Sequence, residues 1–297
     1  MERIIKNTDY TDLKMKNSIR ALTKQYPFIK SFSIGQSCMG REISAIKIGK
    51  SSDCILFVGG FKGSEAITSA LLLRFAEELC DGIKNSTSVC SVNIEKIMEQ
   101  KSLIIVPRIN PDGCEISLCG AAASGAYVKQ IRRLSQGDTL HWDANLRGVE
   151  INRNFSCGWY RDKTENGTRI VPSKANYGGA YPESEPETAA LIGLCSKVNI
   201  LRAVSFGING RVIYSDFGDK ISEKSEKLTA LMSQVSGYRV NEIPFCFDGS
   251  FEKWFAKTYQ RPSISVKIGD MPSPVDSINT SCLFEEVQKL MLISLVG

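Results

Sequence analysis

The chain has 297 residues, of which 42% are hydrophobic and 23% are charged, and its formal net charge is +5. This composition is typical of a globular protein with a substantial core, and it excludes the disordered and fibrous classes. Basic and acidic residues are interleaved along most of the chain, so the charge predicts a solvated surface and no nucleic-acid-binding face.

The amino-terminal segment is polar almost from its first residue and lacks the continuous apolar core of a signal peptide. No later segment has the apolar length of a membrane span. The ten cysteines are scattered, and no two have the CxxC spacing of a zinc knuckle or a redox site. We therefore expect reduced thiols and a cytoplasmic protein that does not bind membranes.

Apolar spacing predicts helices and strands that alternate along the chain. The first helix ends before Pro27, and a hairpin around a glycine-containing turn follows it. Two short unbroken apolar runs, CILFV and SLIIV, are typical of strands buried on both faces. The predicted helices are 10–26, 64–83, 185–195, 219–236 and 280–295. Strands are predicted within the hairpin segment 28–50, at 54–60, within 101–113 before its loop, and at 201–208, 211–215 and 262–269.

Two local features complete this interpretation. After the second buried run, the segment RINPDG predicts a turn-rich loop. In SEPET, Ser184 and Glu187 have the spacing of a capping box, with Pro186 in the first turn of the helix. Because no linker rich in proline, glycine or serine interrupts the alternation, we expect one α/β domain over residues 1–297 around a largely parallel sheet.

Three predicted strands end in polar or charged residues. These ends read GGFKGSE at 59–65, SFGING at 205–210 and SVKIGD at 265–270. Ligands of open α/β sheets bind at the carboxyl ends of strands, so the three stretches predict one convergent site. The alternative is that they are ordinary loops with no common role.

Seven segments resemble the zinc carboxypeptidases of the carboxypeptidase A superfamily. They read SIGQSCMGREISAIKIG, ILFVGGFKGSE, VPRINPDG, WDANLRGVEINRNFSCGW, YGGAYPESEPET, SFGINGRVIY and RPSISVKIG. They occur in the order and at the spacing of the family, from about residue 31 to about residue 270. The likeness is greatest to the bacterial branch that includes γ-D-glutamyl-diamino-acid peptidases acting on cell-wall peptides. The resemblance implies a mixed, mostly parallel, twisted sheet with helices on both faces.

The resemblance also implies a single zinc ion, held by a histidine and a glutamate of an HxxE loop and by a second histidine, with a later glutamate as general base. In this sequence the two histidines fall on Lys62 and Gly207, the metal glutamate on Glu65 and the general base on Lys267. Only Glu65 is retained. A lysine ammonium has no lone pair and glycine has no side chain, so we expect no zinc, although the family uses it.

No other residue replaces the missing ligands. The single histidine, His141, lies outside these motifs in a loop-like stretch, where we expect a surface or structural role. No cysteine stands at or beside the altered positions. We expect the ammonium groups of Lys62 and Lys267 to flank Glu65 and to offset its charge. The alternative is that both lysines extend into solvent.

The substrate-binding positions are better preserved. The resemblance places the pair that grips a substrate carboxylate at Asn152 and Arg153, and a guanidinium matches both oxygens of a carboxylate. The arginine that polarises the scissile carbonyl falls on Asp143 by alignment, while Arg147 is the nearest arginine, and both remain candidates.

The mobile tyrosine of the family should follow Trp254, where the chain reads FAK, so it is absent. Tyr259 is close in sequence, but no spacing places it in the cleft.

Three functions follow as alternatives. The favoured one is a catalytically inactive protein that binds a peptide or small carboxylate ligand, such as a cell-wall peptide fragment, in a positively charged pocket. The second is an active peptidase with an atypical metal site or a lysine base whose pKa is lowered. The third is a structural partner of an active relative. A Ser/His/Asp or Cys/His constellation is not available in a chain with one histidine.

Overall fold

The computed structural model describes residues 3–5, 11–159, 164–165, 168–169, 171–215, 223–241, 248–270 and 280–297. The helices of these residues are α1 (Asp12–Gln25), α2 (Ile67–Lys84), α3 (Ile94–Gln100), α4 (Pro111–Cys119), α5 (Val128–Ser135), α6 (Pro186–Lys197), α7 (Glu223–Ser236), α8 (Phe251–Tyr259) and α9 (Thr280–Val296). The strands are β1 (Lys30–Gln36), β2 (Glu42–Ile48), β3 (Asp53–Val58), β4 (Ser88–Val89), β5 (Val92–Asn93), β6 (Ser102–Val106), β7 (Thr164–Glu165), β8 (Thr168–Arg169), β9 (Asn199–Ile208), β10 (Val212–Tyr214), β11 (Arg239–Asn241) and β12 (Ser263–Ile268).

One mixed sheet organises the fold. Its eight strands have the order β1-β2-β6-β3-β9-β12-β10-β11. The four central strands β6, β3, β9 and β12 are parallel to one another. The hairpin β1–β2 joins one side of this core antiparallel to β6, and β10 joins the other side antiparallel to β12. The predicted mixed, mostly parallel sheet is confirmed.

The central strands are buried on both faces because their sequences are apolar on both faces. Every residue of β6 is buried, and so are all residues of β3 after Asp53. One face packs against α1, α2, α7 and α9, whose side chains form the larger core with Phe57 and Phe206. The opposite face packs against α6 and α8 around Leu56 and Phe155. The predicted placement of helices on both faces is also confirmed.

The predicted capping box is wrong. Helix α6 begins at Pro186, its amino-terminal cap residue is Glu185, and no side chain caps it. The Ser184 hydroxyl donates instead to Glu185 Oε1 at 2.7 Å. Glu187 turns away to accept a hydrogen bond from the backbone N–H of Cys38 at 3.2 Å. A contact with the distant β1–β2 turn therefore replaces the local cap.

The predicted turn-rich loop after β6 is also different in the structure. It begins α4, with Pro111 in the first turn. The Asn110 side chain caps this helix by accepting from Gly113 N at 2.9 Å. Residues 219–222 of the helix predicted at 219–236 lie outside the described part of the chain, and α7 is described from Glu223.

Among the described residues, every helix is too short or too polar to span a lipid bilayer. The expected cytoplasmic location remains a prediction.

Candidate functional site

A pocket lies where the carboxyl ends of β3, β9 and β12 meet, as the sequence predicts. Its cavity volume is ≈ 190 Å³. The predicted residues that line it are Lys62, Glu65, Asn152, Arg153, Gly207 and Lys267, and they are joined by Phe61, Glu150, Ser205, Phe206 and Glu252.

A tight turn positions the first two of these side chains. Lys62 has an extended backbone and is followed by a single 3₁₀ turn, Gly63–Glu65. A Cβ atom at position 63 would lie 2.3 Å from the carbonyl oxygen of Trp142 and 2.4 Å from that of Gly113. Only glycine permits this close approach of the backbones, so the turn can pack directly against residues 113 and 142.

The Lys62 ammonium is bound by two carboxylates. Its Nζ lies 2.9 Å from Asp143 Oδ2 and 3.6 Å from Glu150 Oε1. The Ser64 hydroxyl donates to the other oxygen of Asp143. The charge of Glu150 is the largest effect on the pKa of Lys62, and together with Asp143 it raises that pKa above its ordinary value although burial opposes it. Lys62 is therefore a fixed cation and does not extend freely into solvent.

Glu65 is the retained glutamate of the predicted metal site, and it is only 4% exposed. Its Oε1 accepts a hydrogen bond from the backbone N–H of Ile208 at 3.3 Å. Burial raises the pKa of Glu65, while the charges of Lys267 and Lys62 act in the opposite direction. Burial outweighs the two lysines, so they offset only part of its effect on this carboxyl group, less than the sequence led us to expect.

The Lys267 ammonium lies over Gly207, in the neighbourhood of this carboxylate but outside ion-pair distance of it. The two residues are direct neighbours on the parallel strands β12 and β9. A Cβ atom at position 207 would lie 2.5 Å from Lys267 Nζ and 3.0 Å from Glu65 Oε1. The ammonium therefore fills the space in which a side chain at position 207 would begin.

Asn152 does not present a free amide to the pocket. Its Oδ1 accepts from the backbone N–H of Phe251 at 2.8 Å, and its Nδ2 lies 3.0 Å and 3.3 Å from the two oxygens of Glu252. The Ser205 hydroxyl also donates to Glu252. Glu252 is 1% exposed, and its described partners are these neutral donors. The pocket thus holds a buried carboxylate that sequence reasoning did not identify.

Arg153 is held from one side only. Its Nε lies 3.4 Å from Glu150 Oε2, and the two groups form an ion pair without a hydrogen bond from this nitrogen. Burial acts to raise the pKa of Glu150, but the charges of Lys62 and Arg153 outweigh it and the pKa is lowered. Glu150 is therefore a carboxylate that forms ion pairs with both Lys62 and Arg153. Among the described residues, Glu150 is the one carboxylate that forms an ion pair with Arg153.

The expectation of a positively charged pocket is wrong. Three cations, Lys62, Arg153 and Lys267, are accompanied by four carboxylates, Glu65, Asp143, Glu150 and Glu252. Glu150 was visible in GVEINRNF, two residues before Asn152. Asp143 and Glu252 carry no local signal of their role, because a loop and a helix far apart in sequence bring them to the site.

The remaining predicted positions lie outside the pocket lining. Arg147 has a side chain that is 58% exposed, with Nη1 3.6 Å from Glu185 Oε2. His141 is on the surface, 3.0 Å from Asp138. Tyr259 packs against Trp254 and Phe255 in the core. Of the two candidates for the carbonyl-polarising position, Asp143 is therefore the one in contact with the site.

The residues of the pocket do not fit the zinc ion that the family implies. Zinc takes imidazole, thiolate or carboxylate donors, usually four in all. Glu65 is the one predicted ligand position that keeps a donor, and no histidine or cysteine of the described residues lines the cavity. The nearest carboxylates, Asp143 and Glu150, already bind Lys62.

The sheet and the site at its strand ends define the class as metallocarboxypeptidase-like. A sequence model described as zinc carboxypeptidase matches residues 15–247, and the chain belongs to this family.

Individual relatives agree with this assignment. The chain is 28% identical over 291 residues to γ-D-glutamyl-L-diamino acid endopeptidase 1 of Lysinibacillus sphaericus, covering 97% of this chain and 72% of the relative. Its fold is similar to the crystal structure of thrombin activatable fibrinolysis inhibitor, with a TM-score of 0.76 at 17% identity, covering 97% of this chain and 74% of the other. Murein-tripeptide amidase MpaA from Escherichia coli O157 has a TM-score of 0.55 at 21% identity, covering 90% and 92% of the two chains.

Proposed function

We propose that this protein binds carboxylate-bearing peptides, in particular cell-wall peptide fragments, without metal-dependent hydrolysis. The observation that carries the proposal is the pair of ammonium groups, Lys62 and Lys267, at two positions where the family resemblance expects a zinc ligand and the general base. A hydrolytic water needs a Lewis acid or a base to activate it, and the pocket offers neither in the family manner.

The charges of the pocket suggest the chemistry of the ligand. Arg153 offers a guanidinium for a carboxylate. Glu252 is a buried carboxylate whose partners, Asn152 and Ser205, are neutral donors, so an ammonium group of a ligand would complete its coordination. A ligand end that carries both a carboxylate and an amino group matches this arrangement, and the terminal residue of a γ-D-glutamyl-diamino-acid peptide is such an end.

Isothermal titration calorimetry tests this proposal with γ-D-glutamyl-L-lysine and with γ-D-glutamyl-L-norleucine, which lacks the side-chain amine. We expect the lysine peptide to bind more tightly and to be recovered intact by mass spectrometry. Arg153→Ala should abolish most of the binding. Arg147→Ala is the matched control, because it removes an arginine outside the pocket lining.

The same experiment distinguishes the other two functions. Cleavage of the peptide that stops in the presence of a chelator would favour an active metallopeptidase. Cleavage that persists with a chelator would favour a lysine base, although the raised pKa of Lys62, caused first by the charge of Glu150, argues against that residue. Neither binding nor cleavage of any carboxylate peptide would favour the structural partner.

A further inference from the structure

We infer that Gly207 and Lys267 are a mutually dependent pair: the glycine leaves open the space that the Lys267 ammonium fills beside Glu65. The protein then carries its own cation at the carboxylate that would be the metal ligand of the family. The inference concerns the internal structure of the pocket and does not depend on which ligand the pocket takes.

The register of the sheet makes the dependence direct. Gly207 and Lys267 lie opposite each other on neighbouring parallel strands, and the Lys267 side chain lies over residue 207 on the side of Glu65. A Cβ atom there would be 2.5 Å from Nζ and 3.1 Å from Cδ of Lys267. Any side chain at position 207 would therefore compete with Lys267 for one space, and a histidine would compete more strongly than an alanine.

The other side of Glu65 is compensated in the same way. Lys62 is fixed by Asp143 at 2.9 Å and by Glu150 at 3.6 Å, so its charge is held close to the pocket without a metal. Two ammonium groups supply the same formal charge as one zinc ion. To reach Glu65, a divalent cation would have to displace both ammonium groups or lie close to them. Charges of the same sign repel each other when they are this close.

A double-mutant cycle tests the dependence without any ligand. Gly207→Ala, Lys267→Ala and the double variant are unfolded in urea, and the midpoint of each transition is compared with that of the parent. We expect Gly207→Ala to lower the midpoint in the parent, and to lower it by less than half as much in the Lys267→Ala background, because the space is then empty.

Gly193 provides the matched control. It lies in α6, and a Cβ atom there would meet no heavy atom within 4 Å. Gly193→Ala should shift the midpoint equally in both backgrounds. If Lys267→Ala does not fold, Lys267→Val takes its place, since valine favours a strand and is too short to enter the space over residue 207. Equal shifts for Gly207→Ala in the two backgrounds would overturn the inference.

A second measurement addresses the metal directly. The purified protein is incubated with zinc, desalted and assayed by elemental analysis, and cobalt(II) absorption reports on the coordination. We expect less than one tenth of an equivalent of metal. One tightly held equivalent that is lost in Glu65→Gln would mean that the ammonium groups do not occupy the metal position. Because neither measurement uses a peptide, a negative result in the calorimetry above would leave this inference standing.

Discussion

Replacing Lys62 with methionine should destabilise the protein, because two carboxylates would lose the cation between them. Removing one partner of a buried ion pair typically costs about 3–5 kcal/mol, since the other charge is left uncompensated. The side chains of Asp143 and Glu150 are 18% and 6% exposed, but that of Lys62 is 31% exposed, so water reaches part of the site. We therefore expect a loss at the lower end of that range, about 3 kcal/mol.

Urea unfolding at pH 7 measures this loss, with Lys174→Met as the matched control. Lys174 also forms an ion pair, 2.6 Å from Asp138, but both side chains are about 40% exposed. Exposed pairs contribute roughly 0–1 kcal/mol, so the control variant should stay within that range. In the Lys62→Met background, Asp143→Asn should restore part of the stability, because it removes the carboxylate whose described ion-pair partner is Lys62.

Equal losses in Lys62→Met and Lys174→Met would refute the reasoning. They would mean that solvent screens the Lys62 pair as it screens a surface pair, and that the ammonium is not a structural part of the pocket. A further loss on adding Asp143→Asn would likewise count against the compensation between Lys62 and Asp143.

Three further predictions concern pH, binding and salt. Burial raises the pKa of Glu187 to about 7, so its contribution to stability is full below its unfolded value near 4.5 and is lost as pH rises through about 7. The free energy of unfolding of Glu187→Gln, measured in urea relative to that of the parent, should therefore rise by up to about 3 kcal/mol from pH 5 to pH 8. An equal difference between variant and parent at the two pH values would contradict this. Arg153→Ala should weaken peptide binding roughly tenfold or more by calorimetry, whereas Arg147→Ala should leave it within about twofold. Peptide affinity should fall between 50 mM and 500 mM salt if charges carry the binding, and a constant affinity would contradict that.

Sequence patterns predict the fold well where one local signal decides the structure. CILFV and SLIIV are apolar at every position, and a strand buried on both faces is the structure that accommodates such runs at this length. The capping box failed for the opposite reason. Its spacing is a local signal, but Glu187 bonds the backbone of Cys38, which is 149 residues away in sequence, and no local pattern encodes that contact.

The same distinction between local signals and distant contacts applies to the residues of the site. Motif order locates Lys62, Glu65, Gly207 and Lys267, because each lies near the carboxyl end of a strand whose position the apolar pattern defines, either in its last residues or in the turn that follows. The partners of these residues could not be located in this way. Asp143 has no motif that predicts a contact with a lysine 81 residues earlier, and the contact exists because Gly63 lets the two loops approach.

The altered charges of the site compensate one another in part. Relative to the family pattern, a neutral ligand has become Lys62, a basic position has become Asp143, and an acidic base has become Lys267. Asp143 without Lys62 would be a largely buried carboxylate without its cation, which is costly, whereas Lys62 without Asp143 would keep Glu150 as a partner. In the structure, Lys62 binds Asp143, and Lys267 lies beside Glu65. The two lysines therefore differ in their partners: Lys62 forms an ion pair with Asp143, an aspartate at another altered position, whereas Lys267 lies near Glu65, which the family pattern already contains.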